Sequence, residues 1–172
     1  MTDIEPRVNR AALLACEGNR DAPVAEYEGI LAAIDSGAPY YPVGQLHRAM
    51  ADLLLGQGDP RETRHLTLAV AAFQRQEDLP RLIDACLRLA ALNKHSATVA
   101  LYWVDRAISA ARLGTDPQAL GNALASRGEL LLGFDRVDDA FEALSEATAL
   151  PGGFPRRTRG TVPTAPPSKC VI

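Results

Sequence analysis

The sequence predicts an all-α chain of four helical hairpins stacked in series, and three observations carry that reading. Apolar residues recur at helical spacing in segments of about 13 to 18 residues, with no convincing alternation of period two. Glycine-, proline- and aspartate-bearing turn signals interrupt these segments at regular intervals. The composition is 47% hydrophobic but only 5% aromatic, so the core must be built from small and unbranched side chains that suit close helix packing.

Eight helices follow in order. The first, over 5–17, stops at Gly18-Asn19-Arg20-Asp21, and the second, over 22–36, at Gly37-Ala38-Pro39. A third spans 40–56 and ends in Gly56-Gln57-Gly58-Asp59-Pro60. There the glycines close one helix, Asp59 caps the next and Pro60 takes its first position. The fourth and fifth cover 60–75 and 78–93. The sixth, over 97–113, stops at Gly114-Thr115-Asp116-Pro117, which repeats the same punctuation and starts the seventh over 117–133. Gly133-Phe134-Asp135 separates that helix from the eighth, over 136–149. Short connections make successive helices antiparallel neighbours.

Internal echoes turn this series into a repeat. Ala51-Asp52-Leu53-Leu54-Leu55-Gly56 returns as Gly128-Glu129-Leu130-Leu131-Leu132-Gly133, about two repeats later. Small residues stand at i and i+7 in the returning helices: Ala25 and Ala32, Ala100 and Ala107, Ala140 and Ala147. Small side chains there let a helix lie close against its hairpin partner. The resulting period of roughly 37 to 40 residues marks an α-solenoid.

The clearest unit runs from Gly121 to Phe154 through Leu124, Gly128, Leu131, Ala140, Leu144, Ala147 and Pro151. That pattern resembles the tetratricopeptide repeat. Ala25, Gly29 and Ala32, and likewise Ala100, Val104 and Ala107, match its second half, whereas Arg64 and His65 break it in the unit between. The resemblance implies a right-handed superhelix whose first helices line a concave, partner-binding face. The body also resembles the repeat domains that high-GC bacteria attach to transcriptional regulators, and sixteen arginines against Lys94 and Lys169 fit such a source.

Charge is unevenly distributed. The formal net charge is -3, yet Arg156, Arg157, Arg159 and Lys169 lie in a terminal stretch without an acidic residue, so the body is clearly acidic. An acidic surface repels phosphate backbones, which argues against nucleic acid as the partner of the body. The start of the chain is acidic and not of signal-peptide type. No apolar run approaches the roughly 20 residues that span a bilayer. Cys170 stands one place short of a prenylation box. Cys16, Cys86 and Cys170 are odd in number and lack metal spacing, so neither a disulfide framework nor a zinc site is expected, and a cytoplasmic location fits.

Candidate chemistry is sparse. Glu62 and His65 share a helix face at i, i+3, half of a carboxylate-bridged di-iron constellation, but His47 and His95 follow Gly44 and Leu92 and so supply no second half. His65 is therefore expected to be a partly exposed surface histidine. The sequence holds no nucleophile elbow, phosphate loop or dinucleotide fingerprint. Cys16 and Cys86 sit among Ala and Leu as small buried hydrophobes. The expectation is a chain without catalytic residue, metal or cofactor.

Binding is assigned instead to one face of the first helices: Gln45, Arg48 and Asp52, then Arg81, Asp84 and Arg88, then Asn122, Ser126 and Glu129. Each set follows i, i+3, i+7 spacing. Ala125 and Glu129 occupy places where carboxylate-gripping tetratricopeptide repeats carry Asn or Lys, so a mixed-charge protein or peptide is the expected partner. Tyr40, Tyr41, Tyr102 and Trp103 are candidate aromatic anchors.

The chain thus divides into a repeat body, 1–150, and a basic, Pro- and Gly-rich tail, 151–172, expected to be disordered. A competing reading concerns that tail. Residues 144–153 resemble the end of a double-glycine leader, and cleavage after Gly153 would release a segment carrying Thr158, Thr161, Thr164, Ser168 and Cys170 for modification.

Overall fold

A computed structural model describes residues 4–16, 21–35, 42–56 and 58–151. Eight helices occupy them: α1 (Ile4–Cys16), α2 (Asp21–Asp35), α3 (Val43–Leu53), α4 (Pro60–Arg75), α5 (Leu79–Leu92), α6 (Ala97–Leu113), α7 (Pro117–Gly133) and α8 (Val137–Ala149). Each helix packs on the next, forming the α-solenoid of four hairpins that the periodicity predicts. No strand occurs among the described residues. The expected tail, including Gly153 and Cys170, lies outside them, as do Tyr40 and Tyr41.

Local chemistry fixes the starts. Asp59, Asp78 and Asp116 cap α4, α5 and α7, accepting hydrogen bonds from the backbone N–H of Arg61 at 2.8 Å, Arg81 at 3.3 Å and Gln118 at 2.9 Å. Pro60, Pro80 and Pro117 occupy the first turn of the same helices, where a missing N–H costs nothing.

The stops differ in detail from the glycine signals. Glu77 and Asp135 take the left-handed conformation, with φ of 56° and 58°, at equivalent turns. Each lets the next N–H reach back five residues, Asp78 to the Phe73 carbonyl at 3.0 Å and Arg136 to the Leu131 carbonyl at 2.9 Å. The stop read at Gly133 is therefore made two residues later, by an aspartate that tolerates that conformation. The third helix is shorter than expected, because Leu54 leaves its end and Gly56 turns with φ of 74°.

Packing follows the small-residue rule in the second half of the chain. Ala100, Ala107, Ala140 and Ala147 are all fully buried. Gly128 lets α8 approach so closely that a Cβ there would stand 2.6 Å from Leu144 Cγ. Gly44 plays the corresponding part in the α3–α4 hairpin, where Phe73 Cε1 would lie 2.7 Å from a Cβ.

The first hairpin breaks the rule. Ala25 and Ala32 are exposed, and α2 instead buries Val24, Tyr27 and Ile30 against α1 and α3. Larger residues one position away shift the buried face, and the alanine echo is coincidental there. The main core runs from Ala51 in α3 through Phe73 and Leu89 to Ala147 in α8.

Two substitutions separate the two kinds of alanine-and-glycine position. Gly128→Val is expected to cost about 1–3 kcal/mol through overpacking against Leu144. Ala25→Gln should stay within about 0.5 kcal/mol, as exposed changes do. Urea denaturation of the two variants checks both.

Candidate functional site

The nine residues read as a binding face separate into two groups once α3, α5 and α7 are laid side by side. These first helices form the inner side of the stack, where α5 and α7 pack directly on each other. The second helices α6 and α8 are bridged by Arg112 and Glu146 at 2.8 Å.

Between α3 and α5 the charged residues bind one another. Arg48 donates to Asp52 at 3.1 Å and also to Asp84 of α5, while Arg88 of α5 reaches back to Asp52. The two crossings each join residues 36 apart, so one repeat grips the next reciprocally.

Arg88 goes deeper. Its guanidinium donates to Glu62 Oε1 at 2.7 Å and 3.1 Å and to the Ala51 carbonyl at 2.6 Å. The Glu62 side chain is 2% exposed and that of Arg88 14%. Arg88 is thus a strut between the second and third hairpins and is largely withdrawn from any partner. Arg81 pairs with the cap residue Asp78 on its own helix. Gln45 is exposed at the start of α3.

Between α5 and α7 the arrangement changes. A groove of about 480 Å³ opens along their C-terminal halves, with Leu87, Ala90, Ala91, Leu130 and Phe134 among its walls and Lys94, Ser126 and Glu129 as its polar groups. Ser126 and Glu129 are therefore brought into one cleft. Asn122 is exposed on α7, where its carbonyl accepts from Ser126 Oγ at 3.0 Å. Gly133 faces this space, and a Cβ there would meet nothing within 4 Å. Lys94 and the apolar walls escaped the sequence reading, which followed polar positions alone.

The aromatic anchors lie elsewhere. Tyr102 and Trp103 belong to α6, a second helix, with ring centroids 4.9 Å apart in edge-to-face contact. Arg106 lies over the Trp103 ring at 5.7 Å.

Histidine chemistry also departs from expectation. His65 is buried, not partly exposed, and its Nδ1 lies 3.2 Å from Nδ1 of His47, with the rings stacked at 5.4 Å. Glu62 turns instead to Arg88, so the i, i+3 pair does not converge on a common point. Among the described residues no group of three or more His, Cys, Asp or Glu could hold a metal ion.

Burial drives His47 down from 6.5 to about 4, with His65 and Arg64 adding to the shift and Asp35 opposing it. His65 is also lowered, first by burial, then by Arg64 and Arg61, against Glu28 and Asp59.

Cys86 is the buried thiol expected, and burial pushes it up to about 11. Cys16 is exposed at the end of α1, not buried as expected. No described helix is long and apolar enough to cross a membrane.

No family model and no curated protein matches this sequence. Among solved structures, the crystal structure of BtubC (BKLC) from P. vanneervenii is similar, with a TM-score of 0.66 and 18% sequence identity. The alignment covers 84% of this chain and 61% of that one, so the chain spans less than two-thirds of its neighbour's length. At this identity the likeness concerns the fold alone.

Two measurements follow from this geometry. Arg88→Ala leaves the Glu62 carboxylate buried without its partner and is expected to cost about 3–5 kcal/mol, whereas the double change Glu62→Leu with Arg88→Met should recover most of that loss. A urea double-mutant cycle reads the difference.

The pH dependence has a definite sign. His47 binds protons less readily folded than unfolded, so its contribution is complete above about pH 6.5 and is lost as pH falls towards 4. The urea midpoint should decline over that window, and the decline should be shallower in His47→Gln.

Proposed function

We propose that this chain is a non-enzymatic scaffold that holds a peptide or protein partner on the face of its first helices, with the α5–α7 groove as the main seat. The observation that carries the reading is the contrast along that face. Ion pairs occupy the junction between α3 and α5, whereas the next junction is an open cleft with apolar walls.

Such a cleft can bury an apolar anchor, and Lys94 and Glu129 offer one charge of each sign to the flanking residues of a bound segment. A mixed-charge peptide with one or two apolar anchors fits this chemistry. The acidic body disfavours nucleic acid in the same place. Burial of one anchor side chain is worth about 1.5–3 kcal/mol, which corresponds to roughly ten- to a hundredfold in affinity.

Panning a random peptide library on the full chain supplies the probe, and fluorescence anisotropy its affinity. Gly133→Leu and Ala91→Glu fill the cleft without entering the core and should weaken binding at least tenfold. Leu113→Asp, on an exposed stretch of α6, should leave it unchanged. Selected peptides that bind equally well to both groove variants would place the binding surface elsewhere.

A further inference from the structure

The last helix presents an apolar face that its counterpart in the preceding hairpin keeps covered. Ala100 and Ala107 of α6 stand 40 residues before Ala140 and Ala147 of α8, and all four are fully buried, so the two helices share one register. In that register Leu101 corresponds to Phe141, and Ala97 to Val137.

Leu101 packs against Leu131, Ala140 and Ala143 of the following hairpin. Phe141 is 74% exposed and Val137 62%, and nothing among the described residues covers them. They lie one helical turn apart, on one face. Solenoid ends require a covering or polar surface, and paired large apolar side chains at such an end call for an occupant.

We propose that the tail of this same chain, residues 152–159, folds back along α8 and covers that face. Three observations select it. First, the exit is adjacent: Leu150 lies against Gly121 at the start of α7, and the chain continues from there.

Second, the lengths agree. Phe141 stands nine residues before Leu150, about 13 Å along a helix, and Asp138 twelve residues before it, about 18 Å. After a reversal at Pro151-Gly152-Gly153, residues 154–159 cover about 20 Å of extended chain, enough to pass Phe141 and reach Asp138.

Third, the charges are complementary. Asp138 and Glu142 flank the apolar face, are exposed and have no ion-pair partner among the described residues. The segment brings Arg156, Arg157 and Arg159 with no acid. The inference is independent of the groove, so either can fail alone.

Trypsin cleavage within the full chain tests it, because Arg156, Arg157 and Arg159 are cleavage sites whose access docking restricts. Intact mass follows the loss of the tail. Phe141→Asp should release it at least fivefold faster than the unaltered chain, and so should Asp138→Asn combined with Glu142→Gln. Both changes lie on exposed positions, and far-UV circular dichroism should be unchanged.

Equal cleavage rates in all three proteins would overturn the proposal. A second copy on this face would overturn it too. That outcome appears as a dimer in sedimentation velocity that Phe141→Asp abolishes, with tail protection that vanishes on dilution.

Discussion

The buried contact between Glu62 and Arg88 constrains the middle of the stack more than any other interaction on its inner face. A carboxylate 2% exposed is tolerable only with a cation in hydrogen-bond contact, and that cation comes from the next hairpin. Glu62 sits in the first turn of α4 and Arg88 near the end of α5, so the pair fixes the register between second and third hairpins. Asp52, Arg48 and the Ala51 carbonyl are drawn into the same arrangement. The energetic value lies less in attraction than in the penalty for any packing that would leave Glu62 alone.

The histidine pair beside it follows a similar logic with the opposite charge state. His47 and His65 join α3 to α4 through one nitrogen–nitrogen contact, which needs at least one ring neutral. Burial first, and then nearby Arg64, make protonation costly for both rings, so the second hairpin is packed for neutral imidazoles. Here the repeat pattern fails in the sequence, and the structure shows why: Arg64 and His65 replace the small residues of α4, and close approach is kept from the other side, at Gly44 of α3.

Element order was legible because its signals are local. Asp59 with Pro60 and Asp116 with Pro117 announce helix starts from adjacent residues, and the observed starts agree. Close approach was legible at Gly128, Ala140 and Ala147, where one pattern coincides with burial. It misled at Ala25 and Ala32, because spacing alone does not say which face of a helix turns inward. Face assignment also explains the site. Arg48, Asp52, Asp84 and Arg88 were correctly placed on one side, but their mutual pairing depends on the offset between repeats, a tertiary quantity that no single helix encodes.

That offset also accounts for the groove. Arg48 and Asp52 find Asp84 and Arg88 across 36 residues, one acid and one base on each side. Aligned from their C-terminal ends, α5 and α7 set Asp84 and Arg88 against Ala125 and Glu129. Ala125 brings no counter-charge, and Asp84 and Arg88 already face α3. The crosswise exchange therefore cannot be repeated at the next junction. What remains between α5 and α7 is small and apolar, with Glu129 and Lys94 at its polar edge, so the point where the ion-pair ladder ends is also where the inner face opens. Ala125 is itself buried, so an acid or a base at that position would place a charge out of water without a partner, which is why the ladder is not continued there.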